Sequence, residues 1–208
     1  MDRGLGPMKA LCLLPLLPAL LLPGVGVVFS LAIVIVVLLF LQPSRAPTLS
    51  LRDRSFAASV AMGVAAGFAV VVTFGVLIEP IVEWATGSRI DLEALADIEG
   101  DIGAFLILLV FGLLFGGIVE EVIFRGYVVG WGAALFGANA GPSLALLSAV
   151  IFGISHFYQG PAGMISTGMV GLAFGALYLW TNRSLLPVIV AHMTVNAYGI
   201  TALYFGVS

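Results

Sequence analysis

Hydrophobic residues run along this chain in long blocks separated by short polar breaks. Ala10 to Gln42 carries no charge and is broken by Pro15, Pro18 and Pro23. A helix needs about 20 apolar residues to cross a bilayer, so this stretch is long for one crossing and short for two. Gly24 to Leu41 reads as the first full span, with the proline-containing part before it an interfacial or partly inserted segment. A signal peptide is the alternative there, with Arg3 and Lys9 as its basic region and Leu11 to Leu22 as its apolar core. The second span is Phe56 to Ile78. A polar stretch, Glu79 to Asp101, precedes a third span that begins near Ile102 and runs into Glu120. Ala138 to Pro142 signals a turn, and a fourth span follows from Ser143 to Tyr158. Gln159-Gly160-Pro161 and Thr181-Asn182-Arg183-Ser184 then set off a fifth span, Ala162 to Trp180, and a sixth, Leu185 to Phe205. The pattern predicts an all-α polytopic transmembrane helical bundle of about six spans plus an N-terminal hydrophobic segment. No repeat or linker divides it, so 1–208 reads as a single membrane domain.

Composition strengthens this picture. The chain is 61% hydrophobic and 9% charged, with mean hydropathy +1.18; a soluble domain would be about one-quarter charged. The net charge of −3 is small and dispersed, with no basic patch, which argues against a nucleic-acid partner. Cys12 is the only cysteine, so there is no internal disulfide and no cysteine-based metal site. Arg45, Arg52 and Arg54 mark the loop before the second span as cytoplasmic, whereas Glu79 to Asp101 holds seven acids against Arg89 and reads as external. Arg183 then falls on the cytoplasmic side, in agreement, but the basic N-terminus disagrees if one span precedes Gln42. Trp84, Trp131 and Trp180 fit interfacial anchors, and the glycines between Gly168 and Gly175 fit close helix packing.

Candidate chemistry stands out because its surroundings are so apolar. Between Ile102 and Asn182 the ionisable residues, tyrosines aside, are Glu120, Glu121, Arg125 and His156; His192 lies in the last apolar block. Ionised groups at bilayer depth cost about 2.5–3.5 kcal/mol or more and usually mark function. On a helix Glu120 and Glu121 point about 100° apart. Glu121 and Arg125 are an i,i+4 pair with the acid first, the better order for an ion pair. That leaves Glu120 as the free acid and candidate general base. Gly116 and Gly117, one turn earlier, open room for water, substrate or a neighbouring helix. His156 can hold a water or share its proton, and His192 with Asn196, also i,i+4, can stabilise an oxyanion. Alternatively, Glu120, His156 and His192 could bind Zn²⁺ or another divalent metal, although no His-Glu-x-x-His spacing is present. Counted by helix rise, His192 lies roughly 12 Å into its span and His156 about 20 Å into its own, so the two meet only if the fourth span starts late or tilts.

Three motifs carry a resemblance. Glu120-Glu121-Val122-Ile123-Phe124-Arg125 fits E-E-x-x-x-R, Phe152 to His156 fits F-x-x-x-H, and His192 to Asn196 fits H-x-x-x-N. In this order, on separate spans, they resemble the CAAX protease and bacteriocin-processing (CPBP) family, which includes the type II prenyl-protein endoproteases and the prokaryotic Abi proteins. The resemblance covers about half of the chain and marks 102–205 as a CPBP-like catalytic core. It implies an intramembrane glutamate-dependent endopeptidase, commonly labelled a metalloprotease, in which Glu120 is the base, His156 orients the water, His192 and Asn196 form the oxyanion site, and Glu121 and Arg125 support them. The implied partners are the lipid bilayer and a membrane-associated or lipidated protein or peptide. The implied location is the plasma membrane of a prokaryote, as a multi-pass protein. The N-terminal half carries no recognisable motif, so prenyl specificity does not transfer. Ion- or proton-coupled transport, and a non-enzymatic immunity or scaffold role on the same fold, are the competing functions; no internal repeat favours transport.

Overall fold

A computed structural model describes residues 5–22, 24–51 and 55–207, and every regular element among them is helical. Arg3, Pro23, Arg52 and Arg54, which entered the sequence argument, lie outside the described residues. In order, the helices are α1 (Leu5–Leu13), α2 (Leu16–Leu21), α3 (Gly26–Phe40) and the short α4 (Arg45–Thr48). Then come α5 (Phe56–Thr86), α6 (Ile102–Phe136), α7 (Gly141–Ser155), α8 (Gly160–Trp180) and α9 (Leu185–Tyr204).

Local chemistry sets several of these ends. Ser55 caps α5 by accepting from the Ala58 amide at 3.2 Å, and Asp101 caps α6 by accepting from Gly103 and Ala104 at 2.8 and 3.0 Å. Pro142 and Pro161 occupy first-turn positions of α7 and α8, where a missing N–H costs nothing. Gly87, at φ 66°, ends α5 in the left-handed conformation. Both α5 and α6 turn apolar side chains outward, Phe68, Val76, Ile107 and Val110 among them. In a bilayer those side chains meet lipid.

Five helices are long and apolar enough to cross a membrane, namely α5, α6 and α9, and α7 and α8 with the short turns before them, and six if a bent pair is one span. That bent pair lies where a first full span was expected at Gly24 to Leu41. The observed α3 has 15 residues and is followed by a 117° bend into 42–48. It folds back on α2, with the Ser30 hydroxyl donating to the Pro15 carbonyl at 2.6 Å and Gly26 pressed onto Pro18. Residues 5–40 thus form a hairpin whose two ends lie together. Lys9 sits over the Phe136 ring (5.1 Å), and α4 lies on α6 with the Pro47 and Thr48 carbonyls facing Gly130 and Gly126. A basic N-terminus and a basic loop at 42–48 therefore share one end, which removes the conflict in charge placement.

The bundle has a basic and an acidic end. At the basic end the Arg183 Nη2 donates to the Ala138 carbonyl and the Leu185 amide to the Ser50 carbonyl. At the acidic end the Asp91 amide donates to the Gln159 carbonyl and the Gly100 amide to the Tyr204 carbonyl. Helices cross closely through small residues: Gly63 and Gly67 of α5 lie against Pro187, Ala191 and Thr194 of α9. Gly168, Gly171 and Gly175 of α8 abut Gly153, Ala149 and Ala145 of α7, the packing their spacing suggested. Trp84 and Trp180 are largely exposed, as anchors should be, but Trp131 is 2% exposed and stacks on Tyr127 in the core. Trp131 is therefore a core residue and not an interfacial anchor, because α6 runs past it with the N-terminal hairpin packed alongside.

Candidate active site

Glu120, Glu121 and Arg125 lie in the middle of α6, where residues Gly112–Trp131 adopt π-helical winding. Such winding is rare beyond a single turn and is found mostly at functional sites. It is preceded by ordinary α-helix, and where the two meet the Asn196 side chain of α9 donates from Nδ2 to the Gly112 carbonyl at 2.8 Å.

Glu121 is fully buried and Glu120 is not: their side chains are 0% and 17% exposed. Arg125 Nη1 donates to Glu121 Oε1 at 2.8 Å, while its Nη2 donates to the Gly171 carbonyl of α8 at 2.7 Å. The guanidinium is also flanked by Phe152 and Phe174, at 5.1 and 5.6 Å from the ring centres. This enclosure supplies the partners a buried cation requires.

The expected Glu121–Arg125 pair is present, and Glu121 has a second partner besides. The same Oε1 accepts from His192 Nδ1 at 2.7 Å, so the carboxylate joins α6 to α9 as well as pairing within its helix. A carboxylate oxygen only accepts, which places a proton on Nδ1 and leaves Nε2 as the available nitrogen of His192. That Nε2 stands 3.9 Å from Glu120 Oε2. The two acids thus address opposite nitrogens of one imidazole.

His156 terminates α7 as its C-cap, where the fourth span was expected to continue to Tyr158. Its Nδ1 is 2.8 Å from the Phe152 carbonyl and donates to it, again leaving Nε2 available. His156 and Glu120 line one cavity of about 100 Å³ with Phe124, Ser155, Tyr158 and Leu22 from the tip of the N-terminal hairpin. The two histidines do not meet. Both pack on Phe152, with ring centres at 4.8 Å for His156 and 6.0 Å for His192.

Gly116 and Gly117 do make room, and α9 takes it: a Cβ on Gly117 would strike Met193, and one on Gly116 would strike Asn196. Asn196 Nδ2 and His192 Nε2 both lie within 4 Å of the point where a Gly116 Cβ would stand. Two nitrogens that can donate therefore converge one turn before Glu120. An amide nitrogen has two protons, and Gly112 takes only one from Asn196.

As the side chains stand, no three His, Cys, Asp or Glu among the described residues are grouped closely enough to hold an ion, although Glu120 neighbours both His156 and His192. Residues the sequence argument missed include Phe152 and Phe174, which position Arg125 and both imidazoles. Phe152 was visible only as the first position of its motif. Phe174, from a span without titratable groups other than a tyrosine, gave no signal, and Gly171 was legible only as a packing glycine, not as the carbonyl that Arg125 meets.

Residues 102–198, just under half of the chain and inclusive of all six candidate residues, match the family model described as type II CAAX prenyl endopeptidase Rce1-like. No curated protein and no solved structure matches the chain.

Proposed function

We propose that this chain, whose residues 102–198 belong to the Rce1-like family, is an intramembrane endopeptidase that cleaves a membrane-associated or lipidated protein or peptide with water activated by Glu120. The observation that carries this is the shared cavity. The partly accessible carboxylate and His156 line a space large enough for water, and His192 Nε2 is 3.9 Å from that carboxylate.

Glu120 would take a proton from the water as its oxygen attacks the scissile carbonyl carbon, a role typically worth about 10²–10⁴-fold in rate. His156, its Nδ1 held by Phe152, would present Nε2 to orient that water. The carbonyl oxygen, now negative, would be met beside Gly116 by His192 Nε2 and the second amide proton of Asn196. For His192 this requires a proton on Nε2 as well as the one on Nδ1. Glu120 would then pass its proton to the departing nitrogen as the C–N bond breaks, leaving a carboxylate and an amine. Glu121 and Arg125 touch no reacting atom in this scheme and act as positioning residues. The same reading places the protein in the plasma membrane of a prokaryote.

Glu120→Gln tests the assignment. In proteoliposomes with a lipidated reporter peptide, hydrolysis should fall by at least about 100-fold while helix content and melting behaviour stay unchanged. Full hydrolysis by the folded variant would overturn Glu120 as the base.

A further inference from the structure

At the basic end lies a second cavity of about 570 Å³, walled by residues of the segment after α3, of α6 and of the turn before α9. That is the size of a small-molecule pocket. Its wall is half polar in character: Arg183, Asn182 and Ser50 face Pro43, Ala134 and Leu179.

Two independent features single it out. Ser50 is 8% exposed, yet its hydroxyl has no hydrogen-bond partner among the described residues although it belongs to the cavity wall. The Tyr178 hydroxyl, buried and equally without a partner, ends against Gly130, another wall residue. Buried hydroxyls are ordinarily paired, and leaving one unsatisfied is costly. The second feature is the backbone of the Thr181–Ser184 turn. Asn182 and Arg183 have φ of 55° and 63°, values that cost a side-chain-bearing residue energy and that recur at ligand clamps. The turn is held by the Arg183 amide on the Tyr178 carbonyl and by the Thr181 hydroxyl on the Leu177 carbonyl. It delivers a guanidinium to the cavity with one contact, Nη2 to the Ala138 carbonyl, leaving its other N–H groups free of partners among the described residues.

Among the described residues the charge around the site has one sign. Lys9, Arg45 and Arg183 lie at this end, whereas the acids of residues 79–101 lie at the other. A planar cation with spare donors, a buried hydroxyl and an apolar flank are the complement of a phosphate joined to a hydrocarbon. We propose that this cavity binds a phosphate-bearing anion, held by Arg183 and Ser50, with the headgroup of an anionic phospholipid as the source its apolar flank and basic setting favour. This site is separate from the Glu120 cavity and does not depend on the protease assignment.

The test is native mass spectrometry of the purified full chain in detergent, titrated separately with phosphatidylglycerol, phosphatidylcholine and inorganic phosphate. Wild type should bind phosphatidylglycerol at least roughly tenfold more tightly than phosphatidylcholine, and Arg183→Gln should remove that preference. Ser50→Ala should weaken binding several-fold. Arg183→Gly guards against misfolding, because glycine accepts the left-handed backbone without strain and should lose the lipid while melting no lower than wild type. Binding of inorganic phosphate with the same variant sensitivity, and no preference among lipids, would support the anion site and assign it to the free ion. Equal binding of the two lipids by wild type with no phosphate bound, or undiminished phosphatidylglycerol binding by folded Arg183→Gly, would overturn the proposal.

Discussion

Replacing Arg125 with methionine is the sharpest test of how the polar core is held. The substitution keeps a long, flexible side chain between Phe152 and Phe174 but removes the positive charge, the 2.8 Å bond to Glu121 and the 2.7 Å bond to the Gly171 carbonyl. Glu121 is 0% exposed and its Oε2 already lacks a partner, so the carboxylate cannot recover by reaching water. Breaking a buried pair by deleting one member costs about 3–5 kcal/mol. His192 stays on Oε1 as a hydrogen-bond donor at 2.7 Å, which sets the expectation at the low end, about 3 kcal/mol. That is a large share of a typical folding free energy of about 5–15 kcal/mol. In Glu121→Gln/Arg125→Met no buried ion is left, and the total cost should drop to roughly 1–2 kcal/mol, leaving a coupling of at least about 1 kcal/mol. Reversible unfolding in mixed micelles of rising dodecyl sulfate fraction, followed by tryptophan fluorescence, gives the four free energies of the cycle. A loss below about 1 kcal/mol for Arg125→Met, or strict additivity in the double variant, would refute the idea that one charge holds the other in place.

Gly116→Ala places a methyl group where Asn196 Nδ2 stands and close to His192 Nε2. It should cut kcat by at least tenfold with a smaller effect on KM in the reporter assay, since a lost oxyanion donor costs about 10²–10³-fold; unchanged kcat in a folded variant would remove that spot from the mechanism. Because Glu120, His156 and His192 do not gather around one point, dialysis against a strong chelator should leave most hydrolysis intact; loss restored by added Zn²⁺ would show that the side chains close on a metal during turnover.

Much of the candidate site was legible in the sequence because burial makes charge conspicuous. Glu120, Glu121, Arg125 and both histidines are nearly alone in an apolar half-chain, and i,i+4 spacing gave the Glu121–Arg125 pair. What spacing within a helix does not give is contact between helices. The His192–Glu121 bond depends on how α9 crosses α6, which the glycines at 116 and 117 permit but do not specify. Hydropathy located the last three helices to within a few residues, since a run of apolar residues bounded by Gly, Pro and Asn has one economical interpretation, but α5 runs on past Ile78 to Thr86 and α6 past Glu120 to Phe136. Near the N-terminus it gave no sign of the bend, because hydropathy counts apolar length and carries no direction. Residues 5–40 are apolar enough for a crossing and yet fold back on themselves near Gly26, whose lack of a side chain lets it press onto Pro18. The π winding of α6 was not visible either, since it reflects how neighbours such as Asn196 engage the backbone and not which residues compose the helix.

The hairpin at residues 5–40 has a consequence for parity. With residues 5–40 turned back on themselves, α5 to α9 remain as the five helices long and apolar enough to cross. Five is odd. The two ends of the described chain therefore lie at opposite ends of the bundle, with Lys9, Arg45 and the turn at Arg183 together at one and the acidic segment 87–101 and Tyr204 at the other.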